Sequence, residues 1–307
     1  MLHTDWRNLP EQARGLVLAL GNFDGVHRGH AHLLHAAHAA RPDRPRGVLT
    51  FEPHPRSLFR PDDPPFRLTP SAQRAELLAG LGVQHVIEVR FDAEFAALSA
   101  EDFVAKVLHE ALGAAHIACG ADFAFGHRRG GDVHLLEARA EAFGIGLTVV
   151  PQLSDESGPI SSSRVRRALQ DGYPERAAAL LGRPWSIQDE VAHGDKRGRT
   201  IGFPTANIAL GGYLEPARGV YAVRATLPDG RIVDGVANLG RRPTVANTVE
   251  ARLEAHLFDF NEDLYGQTLD VALLHFLRPE QKFASFDALK AQIVTDVVEA
   301  RRLLGVA

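Results

Sequence analysis

The chain has 307 residues, 45% of them hydrophobic and 23% charged, which suggests two domains that can each bury a core. A net charge of −4 argues against a general affinity for nucleic acid, and the one cysteine, Cys119, excludes an internal disulfide framework and a cysteine-based zinc site. Because no apolar run approaches the ~20 residues that span a bilayer and residues 1–6 lack signal-peptide character, we expect a cytoplasmic enzyme that does not bind membranes.

The first half of the chain alternates short apolar runs with helix-like stretches. The apolar runs, which predict strands, cover residues 15–20, 46–51, 85–89, 115–119 and 147–150. The intervening stretches predict helices over residues 31–40, 69–81, 100–112 and 132–143. This alternation predicts an α/β domain with a Rossmann-like parallel sheet, in which ligands bind beyond the carboxyl ends of the strands.

The second half consists of short strand-like runs separated by glycine and proline, beginning near Trp185. Strands are predicted over residues 219–225, 232–237, 250–258 and 271–276, with a hairpin turn at residues 228–230. This pattern predicts a small antiparallel β-barrel followed by an amphipathic helix over residues 285–304. We place the boundary between residues 172 and 184 and divide the chain into domains of residues 1–180 and 181–307.

A glycine-rich turn joins the first predicted strand to the first predicted helix, with the sequence Gly-Asn-Phe-Asp-Gly-Val-His-Arg-Gly-His. Such a junction presents backbone N–H groups to a phosphate, and Gly21, Gly25 and Gly29 let the main chain approach the anion closely. His27 and His30 can donate hydrogen bonds to phosphate oxygens and stabilise negative charge in a transition state. The alternative, a tight turn with two surface histidines, is disfavoured by the complete pattern.

This turn resembles the His-x-Gly-His signature of the nucleotidyltransferase superfamily, and in its extended form it resembles the bacterial bifunctional riboflavin kinase/FAD synthetase family. Three more segments agree, namely Thr-Phe-Glu-Pro-His-Pro at residues 50–55, Gly-Ala-Asp-Phe-Ala-Phe-Gly at 120–126 and Ile-Ser-Ser-Ser-Arg-Val-Arg at 160–166. The resemblance implies contacts with ATP phosphates for Gly21, Phe23, Asp24, Gly25, Gly29, Ser161, Ser162, Ser163 and Arg166. It implies contacts with a flavin for Pro53, His54, Asp122 and Phe123. Asp122 stands where some members carry Asn, and Ser163 where many carry Thr, but both keep hydrogen-bonding ability.

Single segments of these motifs also have simpler structural interpretations. Residues 161–163 can cap a helix, residues 53–55 can form a rigid turn, and Cys119 fits a core position. His32, His35 and His38 recur on the first predicted helix, but no carboxylate joins them at ligand spacing, which argues against a metal site.

A second phosphate-type loop covers residues 194–207, where glycines such as Gly198 and Gly202 alternate with basic residues. It is not a P-loop, because the Gly-Lys-Ser/Thr ending is missing. Its last part, Gly-Phe-Pro-Thr-Ala-Asn, resembles the signature of riboflavin kinases. Thr205 and Asn207 offer oxygen ligands on one side of an extended chain, which suits Mg²⁺, and the resemblance implies that these two hold metal and phosphate.

The segment Leu-Glu-Ala-His-Leu-Phe-Asp-Phe at residues 253–260 resembles the family's Val-Glu-x-His-hydrophobic-x-Asp-Phe stretch. The resemblance implies that Glu254 is the base that accepts the proton of the attacking hydroxyl. Glu250 competes by position but lacks the following x-His match. Residues 237–244, which include Arg241, are similar to a family flap near the flavin.

The resemblance implies a bifunctional enzyme that uses ATP as co-substrate with Mg²⁺, converts riboflavin to FMN, and then converts FMN to FAD and pyrophosphate. One alternative is an adenylyltransferase for another phosphorylated substrate, such as a pantetheine or nicotinamide nucleotide, which the second signature at residues 202–207 disfavours. Another is a flavin-binding regulator without catalysis, which the intact His27, His30 and Glu254 disfavour. The sequence makes no prediction of oligomeric state.

Overall fold

The computed structural model describes residues 1–192, 203–243 and 249–306 of the chain. The chain divides into two compact units, of which the first contains Met1–Asp63 and Thr69–Ser161 and the second contains Pro64–Leu68 and Ser162–Ala307. These units divide the chain earlier than residue 180. Because units of packing and sequence domains need not coincide, the boundary at residues 180 and 181 stays a prediction.

The first unit is built on a six-stranded sheet in which every neighbouring pair of strands is parallel. Its strands are β1 (Leu2–His3), β2 (Val17–Leu20), β3 (Arg46–Glu52), β4 (His85–Arg90), β5 (His116–Gly120) and β6 (Gly146–Val150). A small hairpin follows, formed by β7 (Ser154–Asp155) and β8 (Gly158–Pro159). The predicted Rossmann-like parallel sheet is therefore confirmed. Strand β1 was not predicted, because two residues are too short to show a pattern.

The helices of this unit are α1 (Arg28–Ala40), α2 (Pro55–Phe59), α3 (Ser71–Gly80), α4 (Ala93–Ala96), α5 (Ala100–Asp102) and α6 (Val133–Ala142). Helix α5 continues as a π-helix over Phe103–Ala111, where an α-helix was predicted. Alternate residues of the sheet belong to two separate cores. For example, Leu18 packs in the core that includes the π-helix, and Val17 packs in the core that includes α1. Burial on both faces is what a parallel sheet requires.

The strand order is β1-β4-β3-β2-β5-β6, so β3 and β4 are added on one side of β2, and β5 and β6 are added on the other side. In such sheets ligands bind beyond the carboxyl ends of the strands, where the strand order reverses. The loops that leave β3, β2 and β5 at this point begin at Pro53, Gly21 and Ala121. The topology therefore brings three of the predicted motifs to one edge of the sheet.

Cys119 lies in β5 beside this edge, with its side chain fully buried. Burial, with a smaller contribution from the Asp122 carboxylate, raises the pKa of the Cys119 thiol to about 11. A shift of this size means roughly 100-fold less thiolate at pH 8, and the thiolate is the reactive form. We therefore expect the native protein to react with a disulfide reagent such as DTNB at least that much more slowly than the protein unfolded in guanidinium chloride. Equal rates in the two states would contradict this burial.

The second unit contains a closed antiparallel barrel in the order β10-β13-β12-β11-β14-β9. Its strands are β9 (Trp185–Ala192), β10 (Ala206–Ala209), β11 (Gly219–Thr226), β12 (Ile232–Pro243), β13 (Val249–Leu257) and β14 (Thr268–Pro279). Its helices are α7 (Ser162–Gln170), α8 (Pro174–Leu181) and α9 (Phe286–Leu304). The predicted barrel and final helix are thus confirmed.

Helix α9 packs on the outside of the barrel. An apolar cluster joins Val220 and Val236 of the strands to Ala300 of the helix. The guanidinium of Arg278 donates to both carboxylate oxygens of the buried Asp296 at 2.9 and 2.7 Å, which fixes the helix to β14. One stretch of the outer surface is therefore covered by α9.

The segment Pro64–Leu68 joins the second unit although its sequence neighbours belong to the first. Its carbonyl oxygens accept hydrogen bonds from Trp185 Nε1 at 2.8 Å, from Leu214 N–H at 2.7 Å and from Arg166 Nε at 2.8 Å. These contacts are long-range, so no local pattern predicts them.

Candidate active sites

His27 and His30 cap the N-terminus of α1 with each other's imidazole. Nδ1 of His27 accepts from the backbone N–H of His30 at 3.3 Å, and Nδ1 of His30 accepts from the N–H of His27 at 3.2 Å. The rings stack with their centroids 3.6 Å apart. Because Nδ1 is an acceptor in both rings, each neutral imidazole carries its proton on Nε2. The pair therefore presents two Nε2–H donors at the positive end of a helix, where an anion is favoured.

Gly29 separates the two histidines, and a side chain at this position would make a tight contact with His27. A Cβ at this position would lie 3.1 Å from both Nδ1 and Cε1 of His27, and 3.4 Å from the carbonyl oxygen of Ile160. Any larger residue at position 29 would therefore require the His27 ring to shift by a few tenths of an ångström. The 3.4 Å distance places Ile160, which begins the predicted Ile-Ser-Ser-Ser motif, next to the histidine turn.

The turn between β2 and α1 contains three residues in the left-handed region, Phe23 at φ 51°, Gly25 at φ 86° and Val26 at φ 42°. Glycine adopts this region freely, but a bulky or β-branched residue does so at a cost. Phe23 and Val26 are both buried in the core, and this packing holds them in place. Strain of this kind is concentrated at functional loops.

Asp24 and Thr69 stabilise the turn through hydrogen bonds. The buried carboxylate of Asp24 accepts from the backbone N–H of Thr69 at 3.0 Å and from its hydroxyl at 3.4 Å. The Thr69 hydroxyl oxygen in turn accepts from the backbone N–H of Gly25 at 2.9 Å. These contacts make Asp24 part of the scaffold of the turn, while its assignment to phosphate stays a prediction. No sequence pattern marks Thr69, because its partners lie 44 and 45 residues away.

The backbone N–H of Phe23 has no hydrogen-bond partner among the described residues, although the residue is 0% exposed. Buried backbone N–H groups are normally paired. The carbonyl of Asn22, in the same trans peptide, accepts from Thr50 Oγ1 at 3.0 Å and from Arg74 Nη1 at 3.4 Å. The N–H of Phe23 therefore points away from those two donors. An unpaired donor at a glycine-rich turn suits an oxyanion.

A row of polar residues crosses three neighbouring strands of the barrel. Asn207 on β10 pairs with Glu254 on β13, and Glu254 pairs on its other side with Asn238 on β12. Directly paired residues point to the same face of a sheet. Because Leu253 and Ala255 are buried in the barrel, alternation places the row on the outer face. Asn238 was not predicted as a site residue, because only the strand register reveals its position beside Glu254.

The side chain of Asn207 is oriented by its own strand. Its amide nitrogen donates to the carbonyl oxygen of Thr205 at 3.4 Å, and the residue is buried. Oδ1, on the opposite side of the amide, is a hard oxygen of the kind that Mg²⁺ prefers. The described residues contain no cluster of three or more His, Cys, Asp or Glu that could hold a metal. Mg²⁺ is commonly held by one or two protein oxygens together with substrate phosphates, so Thr205 and Asn207 fit this ion.

A cavity of about 530 Å³ opens where residues 203–204 meet residues 256–261 and helix α9. Nδ1 of His256 lies 2.9 Å from the carbonyl oxygen of Pro204, and its ring packs edge-on against Phe203. The guanidinium of Arg301 lies 4.5 Å from the centre of the Phe258 ring. Aromatic walls of this kind suit a planar ring.

Comparison with known proteins identifies the family. Residues 9–164 match the FAD synthetase family, and residues 181–304 match the riboflavin kinase family. The chain is 45% identical over 293 residues to the bifunctional riboflavin kinase/FMN adenylyltransferase of Escherichia coli, with 95% of this chain and 93% of the relative covered. The chain belongs to the bifunctional riboflavin kinase/FAD synthetase family. The predicted role in flavin cofactor biosynthesis is thereby confirmed.

The chain is also similar to a second bacterial relative and to a solved structure. The Bacillus subtilis riboflavin kinase/FMN adenylyltransferase is 38% identical over 298 residues, covering 95% of this chain and 93% of the relative. A crystal structure described as a macrolide-efflux protein from Streptococcus pneumoniae is 34% identical, with a TM-score of 0.86 and 98% of both chains covered. That description concerns the other protein. Within the described ranges of this chain, no helix is long and apolar enough to cross a membrane.

Pro53 and His54, which the bifunctional family's pattern assigns to the flavin, follow β3. His54 is the N-cap of helix α2, and its Nδ1 accepts from the backbone N–H of Arg56 at 3.1 Å. The loop therefore leaves the sheet at the same edge as the histidine turn. Its contact with a flavin stays a prediction.

Asp122 and Phe123, the predicted flavin-side loop of the family, follow β5. The carboxylate of Asp122 accepts from Gln152 Nε2 at 2.8 Å, and the ring of Phe123 stacks on Phe125 with centroids 5.4 Å apart. These contacts order the loop at the edge of the sheet that also carries the histidine turn. The flavin contact itself stays a prediction.

The Ile-Ser-Ser-Ser-x-x-Arg motif of the family leads into α7, which begins at Ser162. Arg166 lies on this helix, with its Nε donating to the carbonyl oxygen of Phe66 at 2.8 Å and its guanidinium 5.3 Å from the Phe66 ring. The roles of Ser161, Ser163 and the other motif residues toward triphosphate stay predictions.

Arg241, the remaining predicted flavin residue, is held by a carboxylate. Its Nη2 donates to Glu215 at 2.6 Å, and Arg218 donates to the other oxygen of Glu215 at 2.6 Å. A flavin contact by Arg241 stays a prediction. Gly198 and Gly202 lie outside the described residues, and so does the side chain of the alternative base, Glu250.

Proposed function

We propose that the barrel of the second unit phosphorylates the 5′-hydroxyl of riboflavin with ATP, and that the first unit transfers AMP from ATP to the phosphate of FMN. The products are FMN and ADP in the first reaction, and FAD and pyrophosphate in the second. The observation that carries the proposal is the presence of two different phosphate-type arrangements in one chain. One is the histidine-capped turn at His27 and His30, and the other is the row formed by Asn207, Glu254 and Asn238.

In the barrel, Glu254 accepts the proton of the riboflavin 5′-hydroxyl as that oxygen attacks the γ-phosphorus of ATP. Asn207 lies directly beside Glu254, so it holds the phosphate end of ATP next to the base. Thr205 and Asn207 would hold Mg²⁺, and the ion would neutralise charge on the phosphates. Asn238 flanks Glu254 on the opposite side from Asn207.

In the first unit, an oxygen of the FMN phosphate attacks the α-phosphorus of ATP and pyrophosphate leaves. This nucleophile is already anionic at neutral pH, so the reaction needs no strong base. The Nε2–H groups of His27 and His30 and the N–H of Phe23 donate to the charge that develops on the α-phosphate. Gly21, Gly25 and Gly29 give the phosphates access to the main chain. Ser161, Ser162, Ser163 and Arg166 bind the pyrophosphate end, as the family pattern implies.

The direct test is product analysis with riboflavin and FMN supplied separately, each with ATP and Mg²⁺. We expect riboflavin to give FMN and then FAD, and FMN to give FAD. Phosphopantetheine and nicotinamide mononucleotide serve as competing acceptors. No FMN and no FAD, or adenylylation of either competitor in preference to FMN, would refute the proposal. We also place the reactions in the cytoplasm, in keeping with the single cysteine.

Replacing Gly29 with alanine tests the geometry of the histidine turn. The new Cβ would lie 3.1 Å from the His27 ring and must displace it. Because a misplaced donor loses transition-state stabilisation, we expect FMN adenylylation to fall by about 10²-fold. Riboflavin phosphorylation by the same preparation is the internal control and is expected to stay within twofold. Gly80, where a Cβ would meet nothing within 4 Å, is a matched control position for the same substitution. An adenylylation rate for Gly29→Ala equal to that of Gly80→Ala would show that the contact has no functional weight.

A further inference from the structure

A buried arginine lies beneath the histidine turn and plays no part in the mechanism described so far. The side chain of Arg74, on α3, is 0% exposed. Its Nη2 lies 2.7 Å from the buried carboxylate of Glu88 and 3.1 Å from that of Glu52. Ser71 donates a short hydrogen bond to the same oxygen of Glu88. Nη1 of Arg74 donates to the carbonyl oxygen of Asn22 in the turn, at 3.4 Å.

Fold stability alone does not explain this arginine. Removing a guanidinium and a carboxylate from water is costly, and well-packed apolar residues in place of a buried ion pair are often as stable or more so. The Nε of Arg74 also has no hydrogen-bond partner among the described residues, which adds to the cost of its burial. A costly buried group next to a functional turn points to a role in that turn.

The contact with Asn22 gives Arg74 such a role. A trans peptide is planar, with its C=O and N–H pointing in opposite directions. Thr50 and Arg74 both donate to the Asn22 carbonyl, so they fix the direction of the Phe23 N–H on the other side of that peptide. Glu88 and Glu52 hold the guanidinium in place for this contact.

We propose that Arg74 is a positioning residue for FMN adenylylation, which orients the Asn22–Phe23 peptide so that the Phe23 N–H faces the ATP phosphate. This inference rests on the proposed function of the first unit. Arg74 does not touch substrate and acts through the peptide. Glu52 ends β3 immediately before Pro53 and His54, so the same guanidinium also ties the histidine turn to the adjoining loop.

The effect is expected in kcat more than in KM. A donor aimed at charge that develops during the reaction contributes chiefly to the transition state. Loss of one such donor lowers kcat by about 10²- to 10³-fold. Here the donor would be misaligned and not removed, so we expect the smaller of these losses. We therefore expect about a 10²-fold loss of kcat with little change in the KM for ATP.

The experiment compares Arg74→Lys with the double variant Arg74→Met/Glu88→Gln, which removes both buried charges together. His116→Gln is the matched control. It removes a buried polar contact to Thr148, of 2.8 Å, at the amino-terminal end of β5, on the opposite edge of the sheet. Each protein is assayed for FMN adenylylation, for riboflavin phosphorylation and for its melting temperature.

The double variant is expected to lose about 10²-fold in kcat for adenylylation, with the KM for ATP within threefold and phosphorylation within twofold of wild type. Arg74→Lys keeps the charge but reaches fewer acceptors, so its kcat for adenylylation is expected to lie between those of the double variant and the wild type. Full adenylylation by the double variant would overturn the inference, and so would an equal loss in His116→Gln, because that would reveal a general effect of destabilisation. Failure of the wild-type protein to form FAD would instead refute the proposed function itself.

Discussion

Glu254→Gln is expected to lower the rate of riboflavin phosphorylation by about 10³-fold and to leave FMN adenylylation at the wild-type rate. The substitution keeps the size of the side chain but removes the group that accepts the proton of the 5′-hydroxyl. His27 and His30, which are expected to act in adenylylation, belong to the other compact unit. The measurement is the initial rate of FMN formation from riboflavin, with FAD formation from FMN as the second readout.

Glu262→Gln is the control for this substitution. Glu262 is an exposed carboxylate of the same unit, paired with Arg231 at 2.6 Å and not part of the polar row. We expect it to retain full phosphorylation. If Glu254→Gln keeps more than a tenth of the wild-type rate, Glu254 is not the base and Glu250 becomes the candidate. Loss of both activities in Glu254→Gln would contradict two separate sites.

His27→Asn and His30→Gln are each expected to lower FMN adenylylation by about 10²- to 10³-fold, while phosphorylation of riboflavin continues and FMN accumulates. Asparagine is a good N-cap and glutamine suits the third position of a capping box, so both variants keep the helix capped. What each loses is the Nε2–H donor. The measurement is the rate of FAD formation from FMN, together with the helical content and melting temperature.

His35→Gln is the matched control on the same helix, because His35 is exposed and lies outside the turn. It is expected to keep both activities. Wild-type adenylylation by His27→Asn and His30→Gln would mean that the imidazoles serve only as caps. If the loss of adenylylation instead correlated with a lower melting temperature, the imidazoles would likewise serve only as helix caps.

The fold was predictable where its determinants are local. Apolar runs such as residues 16–20, followed by a glycine-rich turn and a helix, predict a parallel sheet whatever the rest of the chain does. Strand β1 is too short to give a pattern, and the π-helix over Phe103–Ala111 depends on hydrogen bonds that the apolar spacing does not encode. The segment Pro64–Leu68 joins the second unit through contacts with residues about 100 to 147 positions away, which no local pattern contains.

The candidate sites divide in the same way. His27, His30 and Glu254 lie in recognisable motifs, because the chemistry requires particular residue types at a particular spacing. Thr69 and Arg74 act through contacts that close only when separate elements pack together, so nothing near them in the sequence marks them. Asn238 lies in a segment that resembles a flap, and its place beside Glu254 follows from strand register alone. Residues that support a site are thus harder to predict than residues that touch the substrate.

Two isotopic labels test the central claim, two phosphate-transfer sites in one chain, most directly. The purified protein is given riboflavin, Mg²⁺ and ATP labelled at either the α- or the γ-phosphate. The account predicts that the γ-label enters FMN and then FAD, and that the α-label enters FAD but never FMN, because the barrel transfers the terminal phosphoryl group and the first unit transfers AMP. Absence of both labels from the flavins, or α-label in FMN, would contradict the account.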